Sequence, residues 1–460
     1  MVAPTILKTG TSVQLFRPFH YSKNPKGGIL MNFEMLHPAD QIVMLMNRIY
    51  YHDMTTTSGG NLSVRDSEGT IWISPSGVDK GNLRREDIIQ IRPDGTITGI
   101  HRPSVEYPFH LAIYKRRPDI KAILHAFPPA LLAYGLFRKL PDTTIIPDAK
   151  FLSGHIALAP YALPGSSMLG DNISKEFANG ANTVILENRG VVIGGETLFK
   201  AFMNFEMLEY CARIQMNAKA LGGSIHGLSD AQMTVHKNKA TAELREFTPT
   251  THTSEELGVR RDMCDLIHRA YAKRLFTSDQ GTFSCKLSDG SIVITPYMKD
   301  RKYLEPEDLV LIRNGKREAG KIPSRSIKLH QAIYDNDPGI KSIIVAHPPH
   351  IMAFAITDKE FNTWQLPETY ISLRDVKKYP FGSSFMETDS LSKEINLKNP
   401  AAIIENDCVI AAGTSLLKAF DKLEMMEYSA KALVLAATYG EEIIGIDPVE
   451  FRELETAFKL

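Results

Sequence analysis

The sequence is poor in cysteine, carries no net charge and has no long apolar run, and each shortage excludes something. Its 460 residues include four cysteines, Cys211, Cys264, Cys285 and Cys408, with no CxxC pair among them. That argues against a disulfide framework and suits reduced thiols in a cytoplasmic setting. Lysine plus arginine and aspartate plus glutamate both number 53, so the formal net charge is zero. No overall field therefore favours nucleic acid or an anionic membrane as partner. No apolar stretch approaches the roughly 18 residues that a bilayer crossing needs. The start, MVAPTILKTGTSVQLF, lacks a basic segment followed by an apolar core, so a signal peptide is not expected. Apolar residues make up 43% of the chain, enough for a packed core.

What the chain does have is repetition. PSVEYPFHLAIYKRRPDIKAILHAFP at 103–128 returns as PSRSIKLHQAIYDNDPGIKSIIVAHP at 323–348. His110 answers to His330, Tyr114 to Tyr334 and Pro118 to Pro338, each 220 residues on. Upstream the offset is 221 (Pro75 with Pro296, Glu86 with Glu307), and downstream it is 218 (Asn188 with Asn406, Glu206 with Glu424, Tyr210 with Tyr428). Solenoid repeats recur every 20 to 50 residues or so, so this is a duplicated domain. The expected division is an N-terminal extension over 1–34, a first domain over 35–225, a polar linker over 226–253, a second domain over 254–440 and a last helix over 441–460.

Each copy reads alike. A helix is expected over 37–52 and again over 254–276, where Ser254 and an acidic first turn mark the start. Short strands with DG or NG turns follow, in TIWISP and DIIQIRPDG, then in SIVITP and DLVLIRNG. HLAIYKRRP and HQAIYDNDP read as helices ended before proline, each leading into an apolar strand, IKAILHAF or IKSIIVAH. TVILENRGVVIGG and AAIIENDCVIAAG each read as one further strand ahead of a long helix. The fold class is α/β, a sheet flanked by helices in each copy.

SGGNLSVR, ISPSG, PSVE with a histidine four residues later, RPD before a strand ending in histidine, and EN-x-G before a long helix together resemble the class II aldolase/adducin family. The resemblance spans 35–225 and, more loosely, 254–440. It implies two tandem three-layer α/β/α domains. It also implies cleavage or epimerisation of sugar phosphates with a divalent metal, usually zinc. In that chemistry a metal stabilises an enediolate as a Lewis acid, a glutamate moves the proton, and Gly/Ser turns hold the phosphate.

Carried over residue by residue, the resemblance implies a phosphate cradle of Gly60, Asn61, Ser76, Gly77 and Ser104, with Val105 where a second serine is usual. Glu106 is the implied acid/base. The implied metal ligands are an H-x-H on the strand and a histidine after Asn188. Here the strand reads His125, Ala126, Phe127, and Arg189 follows Asn188, so His125 alone remains, with His155 as a spare. In the second copy Ser326 stands for Glu106, Val345 for His125, His347 for Phe127, and Asp407 for Arg189; Arg325 enters the cradle. A guanidinium stays protonated and repels a divalent cation. Arg189 either holds an anionic group of a substrate, with Glu106 as base, or pairs with Glu106 or Glu187 and closes the site.

His110 and His330 read as structural, bonding backbone at a helix start. Glu206, Glu209, Glu424 and Glu427 read as salt bridges or a solvated helix face. In HPPH the two prolines break the helix that would align His347 with His350. The expected reading is a non-catalytic family member that binds a ligand or serves assembly, without zinc. The alternatives are a lyase or epimerase on a phosphorylated sugar, active in the first domain with zinc or another divalent metal, and a regulatory partner in a true aldolase's oligomer. A small anionic metabolite is the expected ligand. Active relatives are commonly tetramers, so a homodimer giving four domains is the expected assembly.

Overall fold

The alternation of apolar residues in the strand Ala122–Ala126 decides the layering of the first domain. Ala122, Leu124 and Ala126 face the helices Pro38–Tyr51 and Leu198–Ala220, while Ile123 faces the helices Tyr107–Arg116 and Ser167–Ala178. A period of two sends alternate side chains to opposite faces, so one strand feeds both cores. The computed structural model describes residues 33–458, and most of the proposed extension 1–34 lies outside them. The first sheet has eight strands, in the order Ile97–Thr98, Ile89–Ile91, Ile71–Ile73, Asn61–Arg65, Ala122–Ala126, Gly190–Gly195, Thr183–Leu186 and Ile156–Ala159. The last pair is parallel and the rest are antiparallel.

The second sheet repeats this order and adds a ninth strand, Glu246–Phe247, parallel to Lys316–Glu318. Ile344 and Ala346 pack on one face and Ile343 and Val345 on the other. The fold is therefore α/β, two tandem domains of sheet between helix layers.

Several expectations change in detail. TVILENRGVVIGG is not one strand but a hairpin, Thr183–Leu186 with Gly190–Gly195, and its counterpart is Ala401–Ile404 with Cys408–Gly413. Asn188 (φ 60°) and Asn406 (φ 53°) make the turns, because asparagine tolerates the left-handed region that a tight turn needs. The helix of the second copy is Ser254–Ala272 and is capped one residue earlier than expected, by Thr253. The segment 226–253 connects the domains but is built into the structure through the helix Asp230–Lys237 and the ninth strand. The tail carries the helix Pro448–Phe458.

Three of the four glutamates singled out on the long helices are held by specific hydrogen bonds rather than solvated. Glu209 accepts from the backbone N–H groups of Ala130 (3.2 Å) and Leu131 (3.0 Å), and Glu427 accepts likewise from Ile351 (3.0 Å). Each carboxylate satisfies the open first turn of the neighbouring helix and meets the positive end of its dipole. Glu206 crosses the domain boundary. It accepts from the Tyr271 hydroxyl (2.5 Å) and the Ser278 N–H (2.6 Å). Glu424 alone remains a surface ion pair, with Lys273.

The two domains share a core. Ile145, Met207, Tyr210 and Ile214 of the first pack with Leu275, Phe276 and Met352 of the second. Arg48, fully buried, clamps the boundary through two bonds to Asp300 (2.6 and 2.8 Å) and one to the Tyr271 hydroxyl (2.5 Å).

Candidate functional site around Glu106

Strand register brings the first partners together. Asn61, the first residue of its strand, lies directly opposite His125. Both point to the face that carries Ser63 and the helix Tyr107–Arg116. Glu106 is the N-cap of that helix, but its side chain makes no cap bond and turns toward the strand ends instead. It is buried. Gly60 has φ 74°, and a Cβ there would stand 2.8 Å from the His125 carbonyl oxygen, so glycine is required for this close approach.

Both oxygens of Glu106 are engaged. The Asn61 amide donates to Oε2 at 3.0 Å. Arg189, delivered by the hairpin turn, forms an ion pair with Oε1. His125 Nε2 stands 3.2 Å from Oε2. The other ring nitrogen, Nδ1, lies 3.0 Å from the Val191 carbonyl oxygen and donates to it. Burial pushes the His125 pKa down to about 4, against the smaller opposing effect of that bond. The neutral ring then presents a bare Nε2 to a carboxylate oxygen, and this buried nitrogen has no hydrogen-bond partner.

Behind Glu106 runs a chain of polar side chains. His110 Nε2 donates to the Asn61 oxygen, Ser63 Oγ donates to His110 Nδ1 at 2.7 Å, and the Tyr114 hydroxyl lies 2.7 Å from Ser63 Oγ. His110 is structural as expected, but it bonds side chains rather than backbone. The second copy keeps Ser284, His330 and Tyr334 with the same two 2.7 Å contacts. There Thr282 replaces Asn61, and His330 Nε2 is left without a partner. The shared half of the chain belongs to the fold; the half that differs belongs to Glu106.

The other expected residues divide. The isolated bridge between Pro75 and Pro103 and the Ser76 N–H bond to the Arg102 carbonyl (3.0 Å) draw Ser76 and Gly77 toward Ser104. Gly77 has φ 70° and open space around it. Asn61 serves Glu106 and His110 with its side chain rather than an open cradle. Phe127 sets its ring edge against His125, with centroids 4.9 Å apart. His155 is a correction. It is exposed before the strand Ile156–Ala159, at the end paired with Thr183, whereas the hairpin turn bearing Arg189 follows Leu186 at the far end. A parallel pair of four residues separates those ends by roughly 10 Å. His347 lies in a separate cavity of the second domain.

The sequence model described as Class II Aldolase and Adducin N-terminal domain matches residues 40–216 and again 261–434. The chain belongs to that family. A 3-oxo-tetronate 4-phosphate decarboxylase of Haemophilus influenzae is 31% identical over 208 residues, 44% of this chain and 98% of that protein. A 5-deoxy-D-ribulose 1-phosphate aldolase of Bacillus thuringiensis is 31% identical over 40% of this chain and 86% of its own length. Among solved structures, an L-fuculose 1-phosphate aldolase is 32% identical over 44% of this chain and 95% of its own, with a TM-score of 0.39. Each of the two curated relatives thus corresponds in length to one domain of this class II aldolase-family chain. No helix of its described residues is long and apolar enough to cross a membrane.

Proposed function

We propose that this protein is a class II aldolase-family member that binds a small phosphorylated metabolite in its first domain without zinc-dependent cleavage. The Arg189–Glu106 ion pair carries the reading. A proton-abstracting carboxylate has to be free to reach substrate, and this one is held by a guanidinium and an amide. A catalytic zinc site needs about three protein ligands and an open position. Around Glu106 stand one bare imidazole nitrogen, a phenyl ring without a lone pair, and a fixed positive charge. That donor set does not fit zinc. The open turn at Ser76, Gly77 and Ser104 remains suited to a phosphate, and relatives of the chain are named for phosphorylated substrates.

A second reading has one specific observation behind it. His125 Nε2 stands 3.2 Å from Glu106 Oε2, within reach of a proton that an acid/base pair would pass between them. In that reading Glu106 moves the proton and Arg189 holds the developing anion of a lyase or epimerase substrate. Zinc analysis and a cleavage assay with L-fuculose 1-phosphate separate the two. The expected result is no stoichiometric zinc and no turnover. Turnover that disappears in Glu106→Gln would move the assignment to the second reading. Phe127→His with Arg189→His is expected to gain divalent-metal affinity.

We also propose a homodimer in which each second domain covers a first domain of the other copy. Tyr210 is 5% exposed under the second domain, while its counterpart Tyr428 is 73% exposed. Ile356 is 1% exposed under the first domain, while its counterpart Leu136 is 52% exposed. Asn406 donates to the Ile145 and His226 carbonyls across the boundary (2.8 and 2.9 Å); Asn188, its counterpart, is exposed and has no such bond among the described residues. The internal interface thus has unfilled copies of both its halves, and a second chain supplies both. A monomeric mass in solution would overturn this.

A further inference from the structure

The second domain has lost its glutamate and its implied cradle, yet it holds a cavity of about 270 Å³ over the end of the strand Ser342–Ala346. That is near the lower end of small-ligand pockets, roughly 300 to 1,000 Å³. Its wall has three sources. The second domain contributes Arg325, His347 and Asp407; the first contributes Asp148 and Phe151; the connecting segment contributes His236 and Lys239.

Two cations on this wall make no direct contact with a carboxylate. Arg325 lies 5.1 Å over the Tyr297 ring and Lys239 lies 4.5 Å over the Phe385 ring. Neither forms an ion pair among the described residues. Arg325 occupies the place of Val105 and Tyr297 that of Ser76, so the phosphate turn of the first domain is not repeated here. Three further groups on this wall can accept hydrogens. Asp407 accepts from the Ser384 hydroxyl and the Cys408 thiol. Burial alone would raise its pKa, but Lys239, Ser384 and the two imidazoles outweigh burial and hold it lowered and ionised. The buried Gln280 Oε1 has no hydrogen-bond partner, and neither has the buried Nδ1 of His347. A buried polar atom left unpaired is costly, so such groups normally meet a partner.

We propose that this cavity is a binding site for a small hydroxy carboxylate. The carboxylate pairs with Arg325 and Lys239, and the hydroxyls donate to Asp407 and Gln280 and bond His347. A monoanion fits better than a phosphate dianion. Four cationic side chains (Lys237, Lys239, Arg301, Arg325) and three carboxylates (Asp148, Asp279, Asp407) line the space, leaving one positive charge uncompensated. Because both domains and the connector contribute, the ligand ties them together. The site does not depend on how the Glu106 pocket functions.

Calorimetry on the full-length protein with D-glycerate, D-gluconate and L-threonate, and with inorganic phosphate and glycerol as comparisons, tests this. At least one of the carboxylates is expected to bind once per chain and to raise the melting temperature. Arg325→Ala and Lys239→Ala are each expected to weaken it about tenfold or more, and Arg325→Lys to recover part of the loss. Phosphate bound in preference to all three acids would overturn the ligand class. No binding by any acid, or binding indifferent to Arg325→Ala in a folded variant, would overturn the site.

Discussion

At the scale of single residues, His125 makes the sharpest statement about pH. Its folded pKa is pushed down to about 4 by burial, from an ordinary value of 6.5. The unfolded chain therefore takes up this proton before the folded one does. Stability is full above about pH 6.5 and falls as the pH drops through 6.5 toward 4. The displacement corresponds to roughly 3 kcal/mol for this one ring. His330, pushed to about 3 by burial, acts in the same direction. Urea denaturation between pH 7.5 and 4.5 is expected to show this loss, and His125→Asn to flatten it. An unchanged slope in His125→Asn would mean that the ring is not buried neutral. The sequence named the residues to watch here, since Glu106, His125 and Arg189, the positions mapped from the family resemblance, lie together. It did not disclose that Asn61 turns toward Glu106, because a side chain that fits a cradle also fits a carboxylate. His155 was misleading for a related reason. A histidine near a strand says nothing about which end of the sheet it occupies.

Between elements, the buried carboxylates of the long helices do the joining. Glu209 sits under the first turn of Pro129–Phe137, and Glu427 under that of Ile351–Ala355. Glu209→Ala removes the acceptor from two backbone donors in a dry site. The expected loss is about 2–3 kcal/mol in chemical denaturation, above the ~1 kcal/mol of an exposed cap. Glu209→Gln keeps one acceptor oxygen and is expected to lose less. Equal losses in the two variants would show that charge, not acceptance, is what the helix end uses. The elements themselves were largely legible, since alternation and proline stops mark them. Their pairing at 188 and 406 was not, because an apolar run through a three-residue turn reads as one strand. The helix within the connector at 226–253 was missed for a third reason. A short polar helix whose anchors are Met233 and His236 has no amphipathic stripe long enough to stand out.

For the whole molecule, the asymmetry between matched surfaces makes a prediction about assembly. Tyr428 and Leu136 belong to different faces and are expected to meet across the dimer. Tyr428→Arg and Leu136→Arg should each yield monomers by sedimentation while the circular dichroism spectrum is retained. A dimer that survives both would mean that copies associate elsewhere. Duplication was plain in the sequence, but its consequence for packing was not. Two identical readings of 220 residues imply two similar folds; they do not reveal that one fold lends its neighbour part of its core.

That shared core bears on how the chain is made. The face of Leu198–Ala220 that holds Met207, Tyr210 and Ile214 has its partners in Leu275, Phe276 and Met352, and the last of these is synthesised more than a hundred residues later. At roughly 5–20 residues per second, an apolar surface on an otherwise finished domain waits on the order of ten seconds for its cover. During that interval the nascent chain is a client for any chaperone at the ribosome. Slower codons between residues 220 and 355 are expected to lengthen that wait and to lower the yield of folded protein.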